Sequence, residues 1–126
     1  TQRANWRQSE IEAAADYPDY EPQKSFLNGE DAKYGTKGSV RPDYYKVGHS
    51  VDIKNYNLES SSGRRNLVRN IVKQYEQRLI HLPEGSKQSV QIDLRGQNVS
   101  DEVLTKLYTE ITQKTNGGVS ISFKVK

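Results

Sequence analysis

The 126-residue chain has no cysteine and no methionine. Without cysteine there is no disulfide, no thiolate nucleophile and no cysteine-based zinc site, so the fold is indifferent to redox compartment. Lacking an initiator and beginning Thr1-Gln2-Arg3, it reads as a piece of a larger protein. There is no signal peptide, and no apolar run approaches the roughly 18 residues a membrane span needs. If the piece crosses a membrane, another part of the parent or another protein must move it. Apolar residues are scarce, at 33% of the chain with a mean hydropathy of -0.93. The core must therefore be small, and the length suits one domain spanning residues 1–126. Charge of one sign is barely in excess: nineteen Lys and Arg against sixteen Asp and Glu leave +3. That balance permits nucleic-acid binding without demanding it. Histidine is confined to His49 and His81, too few for a histidine-centred zinc or nuclease motif. No glycine-rich loop opens a helix in a nucleotide-binding pattern, and no Ser-His-acid set can be assembled.

What is present centres on two runs, Gly38 to Tyr45 and Val51 to Tyr56, that read as strands around Lys46-Val47-Gly48-His49-Ser50. A two-residue turn at Val47-Gly48 pairs Tyr44 with Val51 and sets Asp43 opposite Asp52. A turn at Gly48-His49 pairs Asp43 with Lys54 instead. In either register Asp43, Asp52 and Lys54 share one face, since side chains alternate with period two. Carboxylates directly opposed across a ladder destabilise it. A divalent cation removes the conflict; two oxygen ligands and a nearby ammonium suit a hard ion such as Mg²⁺.

Around this hairpin the pattern predicts a helix over 4–15, ended by Tyr17-Pro18-Asp19, and a short β-ribbon turning at Asn28-Gly29. After Ser60-Ser61-Ser62-Gly63, Leu67, Val68, Ile71, Val72, Tyr75 and Leu79 recur at helical spacing up to Pro83. On the other side of this helix lie Arg65, Arg69 and Lys73, with Arg64, Gln74 and Arg78 alongside, a basic stripe of the kind a phosphate backbone needs. A strand over 89–94, a helix capped by Ser100 and a final alternating strand from Val119 complete the pattern. This is an α/β (α+β) domain, with helices flanking a central mixed sheet. His49 is expected exposed at the hairpin turn, and His81 structural at the end of the long helix.

The residues Pro42-Asp43 and Asp52-Ile53-Lys54 resemble the PD-(D/E)xK motif of restriction-endonuclease-like nucleases. The longer strings Tyr34 to Asp43 and Lys54-Asn55-Tyr56-Asn57 resemble the nuclease toxin domains at the C-terminal ends of contact-dependent growth inhibition effectors, from about Trp6 onward. The resemblance implies a restriction-endonuclease-like fold and a toxin exported as part of a cell-surface effector. It would act in the cytoplasm of a target bacterium on DNA or transfer RNA, in bacterial competition, and be neutralised by a cognate immunity protein. It also implies that Asp43 and Asp52 bind divalent metal (Mg²⁺ or Zn²⁺, with Mn²⁺ possible), joined by an acidic residue of the first helix. Glu10, four residues after Trp6, is the choice if Trp6 is buried, with Glu12 about 200° away in reserve. Lys54 then orients water or stabilises charge, while Arg41, Asn55 and the basic stripe position the strand. Gln74 or Gln77 lends the polar group that the following helix often supplies. The ribbon edge is one candidate surface for the immunity protein.

Overall fold

The computed structural model describes residues 2–126. Asn5 caps α1 (Trp6–Glu12) through a reciprocal bond pair with Gln8, and the helix tightens into a 3-10 turn at Ala13–Ala15. A two-residue strand β1 (Glu21–Pro22) follows, then the ribbon β2 (Ser25–Leu27) and β3 (Glu30–Ala32), and the hairpin β4 (Tyr44–Lys46) and β5 (His49–Lys54). The long helix α2 (Ser61–His81), β6 (Lys87–Asp93), α3 (Asp101–Lys114) and β7 (Val119–Lys124) complete the chain.

The main sheet runs β1-β4-β5-β6-β7. Its first two pairings are antiparallel and its last two parallel, because α2 and α3 each return the chain to the same end of the sheet before the next strand. The mixed α/β character read from the sequence therefore holds. The Val47-Gly48 turn is the one adopted, with Tyr44 opposite Val51 and Lys46 opposite His49. Asn28 and Gly29 both take positive φ, as a tight hairpin turn requires.

The period-two alternation of β5 divides its residues between two faces. Val51 lies with Tyr44 and Ala13 on the α1 side, where Tyr17, Tyr20 and Ile53 pack beside them. Ser50, Asp52 and Lys54 turn toward α2. There Leu67, Val68 and Ile71 of α2 and Leu107 and Ile111 of α3 bury Val90, Ile92 and Val119, forming the principal core. A smaller cluster of Phe26, Val40, Tyr45 and Leu82 seats the ribbon. Ser60 caps α2, and Gly63 is required in its first turn because a Cβ there would stand 1.8 Å from the Asn57 carbonyl oxygen.

Two expectations need correction, and one strand pairing has no counterpart in the sequence reading. The run from Gly38 to Asp43 is not strand: Val40 makes one isolated bridge to Phe26, and buried Pro42 has no N–H to donate to a ladder. The pairing of β1 with β4 carries no signal in a two-residue segment whose residues are both exposed. On α1, Trp6 and Ile11 are 62% and 65% exposed, while Ser9 and Ala13 form the buried face. The sheet beneath presents Asp93, and Ser9 can both fit there and bond to it.

Candidate active site

Because β4 begins at Tyr44, the last three residues of β5 have no backbone partner on that side. The side chain of Asp43 fills this notch. Its Oδ2 accepts from the Ile53 amide at 2.8 Å, and its own amide donates to Asp52 Oδ1 at 3.4 Å. The Asp43 amide and the Asp52 carboxylate thus meet, but the three side chains do not share the one face that strand alternation predicts: Asp43 lies outside the ladder and lines a cleft on the α1 side, whereas Asp52 and Lys54 turn toward α2. Burial first, then the charges of Asp52 and Glu10, push the Asp43 carboxyl up to about 6, against the opposing pull of the Ile53 amide and Lys54.

Asp52 is 5% exposed and receives Arg78 Nη2 of α2 at 3.1 Å. Arg78, expected beside the solvent stripe, is itself buried. It lies seven residues after Ile71, on the apolar side of α2, and that spacing was the available signal. Lys54 is also buried and donates to Asn70 Oδ1 at 2.7 Å. Burial lowers its ammonium pKa, and Arg78 acts the same way, while Asp52 and Asp43 oppose them. Gln74, on the same side of α2, has a buried side-chain oxygen without a hydrogen-bond partner, as does Nε of Arg78. Gln77 is exposed.

On the α1 side, an open cleft of about 380 Å³ is lined by Trp6, Arg7, Glu10, Ile11, Gln23, Arg41 and Asp43. Glu10 accepts a hydrogen bond there from the Gln23 side chain, whereas Glu12 turns away to pair with Arg95. Glu10 thus reaches the cleft although Trp6 is not buried. Trp6 and Glu10 flank the buried Ser9 and Ala13 at helical spacing and reach the cleft from the margin of that face.

Among the described residues, no three His, Asp or Glu side chains stand close enough to form a metal cage. Glu10 is held by Gln23, and Asp52 Oδ1 is engaged by Arg78. Asp43 and Asp52 are the two carboxylates that could hold a hard ion such as Mg²⁺, which takes one or two carboxylates and keeps several waters. His49 is half-buried rather than exposed, its ring nitrogens bonded to the Tyr20 and Ser89 hydroxyls. His81 accepts from the Asn28 amide and holds the ribbon turn, a structural use.

The remaining expected contact residues are dispersed. Asn55 secures the N-terminal segment, accepting from Arg3 and donating to the Ala4 carbonyl and Ser9 hydroxyl. Arg64 donates to the Leu58 carbonyl at 2.8 Å. Arg65, Arg69 and Lys73 line a groove between α2 and α3 together with Glu76, Glu110 and Lys114, apart from the acidic cleft. Arg41 alone of the expected basic residues lines that cleft, its guanidinium 4.4 Å from the centre of the Tyr34 ring.

Comparison with protein-family models, curated proteins and solved structures finds no match for this chain.

Proposed function

We propose that this chain is a divalent-metal-dependent nuclease built on a restriction-endonuclease-like core, and that DNA is its substrate. Within a contact-dependent growth inhibition effector it would enter target bacteria, with a cognate immunity protein as its inhibitor. The observation that carries this reading is the notch itself: Asp43 set against Asp52, with Lys54 buried on the face of Asp52. The antiparallel hairpin followed by a helix and a parallel strand is consistent with such a core. The motif strings around Asp43 and Lys54 support the toxin assignment.

Asp43 and Asp52 would hold the ion. When bound, it would polarise the phosphate and lower the pKa of an attacking water. Lys54, its ammonium already desolvated, donates to the phosphate oxygen on which charge builds or orients the water. Glu10 adds negative charge from the α1 wall, and Arg41 meets the backbone at the rim without reading sequence.

The test incubates purified protein with plasmid, with single-stranded DNA and with total transfer RNA, in Mg²⁺, Mn²⁺, Zn²⁺ or EDTA, beside Asp43→Ala. Metal-dependent cutting that falls by about 100-fold or more in the variant is expected. Cutting that survives EDTA or the substitution overturns the proposal, and cutting of transfer RNA alone replaces DNA as the substrate. The buried Asp52–Arg78 pair favours one second reading, a non-catalytic nucleic-acid-binding module in which the acidic group merely ties β5 to α2. That reading predicts binding without cutting in any metal.

A further inference from the structure

The chain has few apolar residues, yet it leaves its only tryptophan on the surface. Exposed apolar side chains scattered singly need no explanation. Here they are not scattered. Trp6 and Ile11, both well over half exposed, line the cleft that contains Asp43. Tyr34, 78% exposed, stacks on Arg41 of the cleft lining. Each of the two aromatic rings carries an arginine: Arg7 lies 5.3 Å from the Trp6 ring centre and Arg41 4.4 Å from that of Tyr34. Both arginines also line the cleft. Nothing in the fold calls for Trp6 at this position, because Ser9 and Ala13 supply the contact of α1 with the sheet.

Aromatic planes alternating with guanidinium groups are what an unpaired base and its phosphate recognise. Every base has a π-face, and that face is available only when the base has left its stack. A duplex offers its faces only at its ends. The cleft is of small-ligand size, enough for a splayed nucleotide but not for a double helix. A protein partner would not need cations on both rings. We propose that Trp6, flanked by Arg7 and Arg41, is a stacking platform for single-stranded nucleic acid, so that the site takes loops, frayed ends or single strands rather than intact duplex. The inference rests on the nuclease reading for its location but not for its test.

Trp6 is the sole tryptophan, so its fluorescence can be excited apart from the eight tyrosines. The experiment titrates the full chain, in EDTA, with a short deoxyribose strand, a ribose strand of the same sequence, and the corresponding duplex. Either single strand should quench Trp6 and the duplex should not; the two sugars separate a DNA ligand from an RNA ligand. By fluorescence anisotropy of a labelled strand, Trp6→Ala should weaken binding about tenfold, within the range of one lost base stack. Trp6→Phe should restore most of it, and Tyr108→Ala, an exposed aromatic on α3, should change nothing. Equal quenching by duplex, or cutting that proceeds while Trp6 responds to neither strand, overturns the platform and leaves the nuclease reading standing. Quenching by single strands without cutting in any metal does the opposite.

Discussion

Asp43 and Asp93 both stand at the sheet on its α1 side, near the end of a strand, and their carboxyl groups are displaced in opposite directions. Burial pushes Asp93 up, but the Arg95 guanidinium, the Ser9 hydroxyl and the Arg95 amide outweigh it and hold the carboxyl at about 2. Asp43 has only one amide and the Lys54 ammonium to set against burial first and then the charges of Asp52 and Glu10, so it rises to about 6. The first arrangement is complete within the fold and binds α1 to the end of β6. The second leaves a charge conflict that only something from outside relieves. A group at odds with its surroundings in a cleft is a candidate for chemistry, whereas one that is fully matched is structural.

Asp52 lies between these extremes, buried beside Asp43 but matched by Arg78. Arg78→Ala should therefore have the largest effect on stability, about 3–5 kcal/mol, by leaving a buried carboxylate unpaired. Urea unfolding measures it; a loss under about 1 kcal/mol would place Asp52 with the unsatisfied group.

Asp93→Asn should cost about 2 kcal/mol at pH 7, since a carboxyl held at about 2 when folded and near 3.8 when unfolded stabilises the fold wherever it is ionised. That contribution is present above about pH 4 and lost as pH falls toward 2. Thermal melts across this window test it, and nuclease activity below the melting temperature should be unaffected. If Asp93→Asn stops cutting while the fold survives, the contrast between the two sites is wrong.

The smallest effect has the opposite sign. Asp43→Asn keeps an oxygen for the Ile53 amide and removes the charge. Because the folded carboxyl titrates near 6, above its unfolded value, the wild type has full stability below about pH 4 and loses it as pH rises through 6. The variant should gain about 1–2 kcal/mol at pH 8 and nothing at pH 4. Mg²⁺ should raise the melting temperature of the wild type but not of the variant. A variant less stable than wild type at pH 8 would remove the charge conflict on which the site assignment rests.

Sequence periodicity was enough for the long elements. Spacing of Leu67, Val68 and Ile71 marks α2, Ser60 and Ser100 mark helix starts, and alternation marks β7, because each signal is carried by neighbours in the chain. The hairpin register, with Tyr44 opposite Val51, followed from the turn at Val47-Gly48. Short or polar segments were less legible. The exposure of Trp6 depends on what the sheet offers beneath α1, the brevity of β4 on a buried proline, and the division between Glu10 and Glu12 on Gln23 and Arg95.

Local order in the chain thus determined the long helices, the later strands and the turn of the hairpin, since periodicity and turn chemistry act over a few residues. Which charges are satisfied was settled by folding: Arg78 meets Asp52 across 26 positions, and Ser9 meets Asp93 across 84. Desolvation and pairing at such separations depend on how whole elements pack, and no window of sequence contains both partners.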